Sequence, residues 1–286
     1  PPGTLMRATL AVILARGLGT RLRDDDGSAL DAAQAAVAPQ GTKGLVPLGG
    51  RPLLDYLLHA LADGGVRDVV LVVAPGDSPL RQRYEHDTPP ERLRVRFAVQ
   101  DEPRGTAHAL LAAREAVCAP LGAAPDPEGR RHFLMCNADN LYAAAAIAEL
   151  VDARGPGLIA YEGEALVREG GIDAARVARF ALLDIDASDR LREIVEKPAA
   201  DHPLLQARPQ WVSMNLWRFR DTIFDACATV APSPRGELEL ADAVRLATQR
   251  GERFDVHRRS EAVYDLTHRR DIAALEARMA GRAPRP

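Results

Sequence analysis

The sequence predicts an α/β fold built on a mostly parallel, doubly wound sheet, and three observations carry that expectation. Apolar runs of strand length alternate with helical patterns through the first half of the chain. The strongest run, Leu10–Leu14, shows no polar alternation, as a strand covered on both faces requires. Candidate ligand-binding segments fall directly after strand ends, where open α/β sheets hold their ligands.

The elements follow in order. Leu10–Leu14 opens the sheet and breaks into Gly17-Leu18-Gly19-Thr20-Arg21. Glycines there free backbone amides to approach an anion, and the arginine supplies charge that glycine cannot. A dinucleotide fingerprint is excluded because Leu22 stands where its third small residue belongs, and a P-loop is excluded because no Gly-Lys-Ser/Thr closes the turn. Asp24–Gln40, with three acids, Gly-Ser and an Ala/Gln tract, reads as an insertion: either a lid over the turn or a solvated excursion with a short helix. A helix is expected from Pro52 to Ala62, strands at Val69–Val73 and Val95–Val99, a helix from Thr106 to Cys118 and a strand at Phe133–Cys136. Gln100–Thr106 and Asn137-Ala138-Asp139-Asn140 follow strand ends as the glycine turn does, so the three segments can share one crevice. From about Leu158 onward shorter strands are expected at Ala178–Ile185, Leu191–Val195 and Trp211–Phe219, with helices at Asp221–Thr229, Glu239–Gln249 and Arg269–Met279. This half reads as a subdomain laid over the first sheet, since no Ser/Gly-rich linker separates the two and no internal repeat is found.

Composition narrows the function classes. The 286 residues, 47% of them hydrophobic, suit one large domain with a sizeable core. A net charge of −3 with both signs interspersed argues against nucleic acid as a partner. No apolar run reaches membrane-spanning length and no signal-peptide pattern is present, while Pro-Pro-Gly-Thr-Leu before Met6 reads as an appended segment. The three widely spaced cysteines, Cys118, Cys136 and Cys227, read as buried reduced thiols of a cytoplasmic protein. None of the seven histidines has the paired spacing of a zinc site.

Several separated motifs then converge: Ile13-Leu14-Ala15-Arg16-Gly17-Leu18-Gly19-Thr20-Arg21-Leu22, Lys43-Gly44-Leu45-Val46-Pro47, Gly50-Arg51-Pro52, and Gln100 with Pro103-Arg104-Gly105-Thr106-Ala107. Asp139-Asn140-Leu141-Tyr142, Val195-Glu196-Lys197-Pro198 and Pro232-Ser233-Pro234-Arg235-Gly236-Glu237-Leu238-Glu239-Leu240 continue the series. In this order and spacing the chain resembles the sugar-1-phosphate nucleotidylyltransferases, or NDP-sugar pyrophosphorylases. The wording is nearest to the glucose-1-phosphate thymidylyltransferases.

The resemblance implies a Rossmann-like doubly wound mixed sheet with a sugar-binding subdomain. It makes 1–286 one domain, with a nucleotide-binding half at 6–142, a sugar-binding half at 143–267 and a C-terminal helix and tail at 268–286. The implied reaction joins an NTP, UTP or dTTP by preference, to a sugar-1-phosphate and releases pyrophosphate. Arg21 matches the family's arginine on the triphosphate, Lys43 the lysine near the reacting phosphates and Lys197 the lysine on the sugar phosphate. The two lysines stand out because the chain has very few lysines against many arginines. Leu14, Ala15, Arg16, Gly17, Gly19 and Thr20 would bind nucleotide together with Gln100, Gly105 and Thr106, and a glutamine amide suits the imide edge of uracil or thymine. Asn140, Glu196 and Asn215 would contact the sugar, and Asp139 and Asp265 would hold Mg²⁺. A homo-oligomer is compatible with all of this.

Four departures from the family pattern bear on specificity. Arg16 replaces the first glycine of the Ala-Gly-Gly turn, and the 22 positions from Arg21 to Lys43 imply an extended loop. Ala175-Arg176 stands for a Tyr-Gly sugar contact, and no glycine occurs two places after Asp265. They favour an altered sugar specificity and leave a second reading open, a non-catalytic nucleotide or NDP-sugar binding protein that retains the fold.

Overall fold

The computed structural model describes residues 7–119 and 125–286; the segment before Met6 lies outside them. Its strands are β1 (Leu10–Leu14), β2 (Pro47–Leu48), β3 (Arg51–Pro52), β4 (Asp68–Val73), β5 (Arg94–Val99), β6 (His132–Asn137) and β7 (Asn140–Leu141). They continue as β8 (Gly157–Glu162), β9 (Ala181–Ile185), β10 (Leu191–Val195), β11 (Trp211–Arg220), β12 (Asp255–Arg259) and β13 (Tyr264–Asp265). Nine of these form one sheet in the order β10-β9-β11-β6-β1-β4-β5, with β8 paired to β11 and β12 to β8.

The unbroken apolar runs have a direct cause. Ala11 and Ile13 belong to one hydrophobic core and Leu10 and Val12 to the other, and Val69/Leu71 against Val70/Val72 repeat the split on β4. Both faces of these parallel strands are covered by helices and loops, so alternation disappears from the sequence.

The second half does not lie over the first sheet; it extends that sheet. β11 runs antiparallel beside β6, pairing Trp217 with Met135 and Arg220 with His132. An uncovered β6 edge would leave a row of backbone donors and acceptors without partners, and β11 supplies them. Trp217, Phe219, Phe133, Phe224 and Phe254 then stack across the junction, with the Phe133 and Phe224 rings 5.3 Å apart.

Three local expectations change. The helix expected from Thr106 to Cys118 divides into Thr106–Ala112 and Arg114–Cys118, since Ala113 at ψ −4° leaves the helical ladder. β12 is largely polar, with Val256 its buried residue, so periodicity could not mark it; its parallel pairing with β8 holds it. Cys118 is exposed at a helix end, whereas Cys136 and Cys227 are buried free thiols as expected.

The insertion packs on the body. Its helix Ala32–Val37 begins at a reciprocal cap between Asp31 and Gln34. Buried Gln34 also donates to Pro47 O at 3.2 Å, and Arg269 donates to Leu22 O and Arg23 O from the C-terminal helix region.

Register brings the site segments to one edge. Leu14 pairs with Asn137 across β1 and β6, Ser213 with Ala181, and Leu182 with Val195. The residues that follow Leu14, Asn137 and Val195 therefore emerge on the same side of the sheet as the start of β11.

Candidate active site

The glycine turn is built by close approach of two backbones. Gly19 (φ 59°) and Gly41 (φ 73°) both adopt left-handed conformations. A Cβ on Gly19 would lie 2.0 Å from Gly41 O, and one on Gly41 would lie 2.4 Å from Leu18 O, so neither position accepts a side chain. The extended loop thereby returns onto the turn and delivers Lys43 beside it. Lys43 Nζ donates to Asp139 Oδ2 at 2.7 Å, with side chains 20% and 25% exposed, enough for a ligand phosphate to reach both. Lys43 and Lys197 are the chain's two lysines, the remaining basic residues being arginine.

A cavity of about 370 Å³ opens here, lined by Leu14, Ala15, Arg16, Gly17, Gly19 and Thr20, by Lys43 and Asp139, and by Gly105 and Thr106. Residues from all three strand-end segments thus share one crevice. Leu18, Pro103, Asn137 and Glu237, which stand in the quoted motifs with no role assigned to them, also line it, as does Ala109, which the sequence did not mark. Arg21 is the second residue of the short helix Thr20–Arg23, exposed and outside the lining.

Gln100 and Arg16 shape the far wall. Gln100 is buried and its Nε2 donates to Gly105 O at 3.2 Å, bracing the 100–106 loop from beneath. Gly105 (φ 109°) lies so close to the Pro232–Leu240 segment that a Cβ would meet Leu238 O at 2.5 Å. Ala107 N donates to Leu238 O and Leu240 N to Thr106 Oγ1, which fastens that segment to the loop. Arg16 crosses from the glycine turn: its Nε donates to Gln100 O at 2.7 Å and its Nη2 to Asp101 O at 3.1 Å. The residue that departs from the glycine pattern is a staple between two walls of the cavity.

On the other side of Asp139 the site is made of side chains. Asn140 is buried and turns its Nδ2 to Asp265 Oδ1 at 2.9 Å, so it positions that carboxylate. β13 pairs with β7, setting Asp265 opposite Asn140, while Leu266 N donates to Asp139 O at 2.9 Å. Asp139 and Asp265 are thereby neighbours although Asn140 and Asp265 are separated by 125 positions in sequence. Mg²⁺ takes one or two carboxylates and leaves its other positions to phosphate oxygens and water, so this pair is a donor set of the right chemistry, with Asp139 lining the cavity and Asp265 outside its lining. Among the described residues there is no group of three or more His, Cys, Asp or Glu that could hold a metal ion.

Glu196 and Lys197 follow β10, with Lys197 held at φ 48°. Glu196 is half-buried; burial pushes its carboxyl up to about 7, and Glu239, Asp242 and Glu237 push the same way against Arg235. Asn215 (φ 56°) sits where the β11–β8 register shifts between Ser213 and Trp217. Asparagine is among the few side chains that tolerate this backbone. Tyr142 Oη donates to Met214 O at 2.7 Å and pins the bulge. Neither Glu196, Lys197 nor Asn215 lines the 370 Å³ cavity; register alone puts them at its edge of the sheet.

Residues 10–272 match the family model described as nucleotidyl transferase. The chain belongs to the nucleotidyl transferase family. Relatives of this transferase include the UTP–glucose-1-phosphate uridylyltransferase AglF of Haloferax volcanii, 26% identical over 269 residues covering 94% of this chain and 96% of that one. Another is the glucose-1-phosphate thymidylyltransferase of Neisseria gonorrhoeae, 24% identical over 243 residues, 84% of this chain and 71% of that one. Among solved structures, a Bacillus anthracis protein described as a glucose-1-phosphate thymidylyltransferase in complex with sucrose superposes with a TM-score of 0.69 at 18% identity, covering 96% of each chain. The UTP-bound UGPase of Acinetobacter baumannii gives 0.68 at 16% identity over 97% of this chain and 95% of that one. These two share the transferase's nucleotide-diphospho-sugar transferase fold.

Proposed function

We propose that this transferase joins a nucleoside triphosphate, UTP or dTTP, to a sugar-1-phosphate, giving an NDP-sugar and pyrophosphate. The observation that carries the proposal is the Lys43–Asp139 pair, 2.7 Å apart at the wall of a cavity that the glycine turn also lines. The relatives named for uridylyl and thymidylyl transfer to glucose-1-phosphate support the same reading.

In this mechanism a sugar-phosphate oxygen attacks the α-phosphorus, the new P–O bond forms, and the bond to the β-phosphate oxygen breaks to release pyrophosphate. The nucleophile needs no general base, because a phosphate monoester with a second pKa of about 6 is largely dianionic at neutral pH. The protein's task is positioning and charge neutralisation. Backbone amides of Gly17 and Gly19 cradle the triphosphate with Arg21 at the rim, and Lys43 follows the transferring phosphoryl group as a compact charge. Lys197 holds the sugar phosphate, and Glu196 and Asn215 offer acceptors and an amide to the sugar hydroxyls. Asp139 and Asp265 would hold Mg²⁺, which supplies further neutralisation of the phosphates when bound. Nucleotide handling falls to 6–142 and sugar handling to 143–267, in one domain of a cytoplasmic protein; among the described residues no helix is long and apolar enough to cross a membrane.

The non-catalytic alternative rests on Arg16 and on the missing glycine two places after Asp265, and the structure bears on the first. The Arg16 guanidinium is engaged by two loop carbonyls and leaves the cradle open, which supports turnover. Pyrophosphate release from UTP, dTTP, ATP, CTP and GTP against a panel of sugar-1-phosphates tests the proposal. UTP or dTTP should turn over with at least one sugar phosphate, and Asp139→Asn should abolish the signal. Nucleotide binding without turnover for every pair overturns the catalytic reading.

A further inference from the structure

The Ala175-Arg176 departure places a cation where the family pattern has none. Asp173 caps the short helix Ala174–Val177, its Oδ1 accepting from Ala175 N at 2.9 Å and from Arg176 N at 3.2 Å. This fixes the start of the Arg176 side chain, which is 11% exposed. Its guanidinium ion-pairs with Asp265 Oδ2, donates from Nη1 to Asp271 Oδ2 at 3.1 Å, and reaches Asp265 O from Nη2 at 3.4 Å. Asp139 and Arg21 lie close enough to act on its charge.

The Asp265 carboxylate is consequently held by three side chains of the protein. Oδ1 accepts from Asn140 Nδ2 and Oδ2 from Thr267 Oγ1, each at 2.9 Å, in addition to the guanidinium. Among the described residues Asp139 ion-pairs with one cation, Lys43. A guanidinium is permanently charged, matches a carboxylate as a fork, and is expensive to leave unpaired when desolvated. Asp271 provides an alternative. It stands at the start of the C-terminal helix, accepts from Thr267 N at 2.9 Å and His268 N at 2.8 Å, and already holds Nη1.

We infer that Arg176 is a built-in counter-ion for Asp265: it competes with a divalent cation for that carboxylate and falls back on Asp271 when the cation takes it. The inference rests on reading Asp139 and Asp265 as the metal carboxylates. Two consequences follow. The second carboxylate stays in place without metal, because Arg176, Asn140 and Thr267 hold it. Metal affinity of the protein without nucleotide is lowered, because entry requires an ion pair to be given up. Arg176 is thus a positioning residue, acting on the reaction through Asp265.

The test uses Mn²⁺ alone as the probe, with free Mn²⁺ read by its paramagnetic resonance signal, so no turnover is needed. Arg176→Gln should bind Mn²⁺ roughly tenfold more tightly than the unaltered protein, as expected when a competing buried cation is removed. Adding Asp265→Asn to Arg176→Gln should cancel the gain. Thermal unfolding in EDTA should show Arg176→Gln melting several degrees lower, with Mn²⁺ restoring most of the loss. Should Arg176→Gln fail to fold, Arg176→Lys serves, since an ammonium cannot bridge Asp265 and Asp271 as a fork does; a gain of about threefold is expected. Equal or weaker Mn²⁺ binding by the variants, or a gain that survives Asp265→Asn, overturns the inference. The proposed reaction is judged separately, by pyrophosphate release from the unaltered protein.

Discussion

The two sides of Asp139 are constructed differently. On the side we propose for the nucleotide, the walls are backbone against backbone: Gly19 on Gly41, and Gly105 on Leu238, with Arg16 donating to two carbonyls across the gap. On the side we propose for the sugar, Glu196 and Lys197 follow the end of β10, Asn215 sits in the β11 bulge, and Asp265 is held by Arg176, Asn140 and Thr267. A triphosphate is the same in every nucleotide, so a backbone cradle suffices and tolerates little change. Sugars differ by the placement of hydroxyls, which side chains read and single substitutions can retune. The Ala175-Arg176 departure and Asn215 fall on the tunable side. Arg16 falls on the backbone-built side, where its guanidinium donates to the carbonyls of Gln100 and Asp101.

The sharpest way to break this contrast is at the pair between the two sides. Lys43→Ala should lower kcat for pyrophosphate release by about 10²–10³, the usual loss when one group facing developing charge is removed. A smaller loss, confined to KM, would move Lys43 from the transferring phosphate to ordinary binding. Next in size is Gly19→Ala, where the added Cβ meets Gly41 O and the positive φ adds strain. Thermal or urea unfolding should show about 2–4 kcal/mol of lost stability. An unchanged melting temperature would mean that the backbone-built side is soft.

Glu196 gives a pH test of the sugar side. Its carboxyl is raised from 4.5 to about 7, so the folded chain binds this proton more tightly than the unfolded chain. Stability from this group is therefore lost as pH rises from about 4.5 to about 7, and stays lost above that. Glu196→Gln should stabilise the protein by about 2–3 kcal/mol near pH 8 and by almost nothing near pH 4, as unfolding curves at the two pH values would read. The same variant should raise KM for the sugar phosphate above pH 7, where the native carboxylate is an acceptor. Smallest is Arg16→Gly. Removing the staple should raise KM for the nucleotide about threefold to tenfold with little change in kcat. Equal or tighter nucleotide binding would make Arg16 a tolerated misfit.

Much of the fold could be read before any coordinates. β1, β4 and β6 announce themselves as unbroken apolar runs because each face of the sheet has its own core. β12 and the junction of β11 with β6 could not be read, since a polar strand carries no burial pattern and strand partners are distant in sequence. The same division holds in the site. Gly19 and Gly105 were legible because only glycine fits their close approaches. Gly41 was missed, although it stands two places before a lysine in a chain with only one other. Asn140 reads from sequence as a sugar contact, but pairing of β7 with β13 turns it to Asp265.

By itself the sequence determined the parallel core, the glycine turn, the two lysines and the family, because each is a local pattern with a local physical cause. Tertiary structure decided what the irregular residues do. Arg16 reaches carbonyls 84 and 85 positions away, and Arg176 meets Asp271 95 positions on. A charged side chain is defined by the partner that neutralises it, and only the folded chain brings that partner within reach.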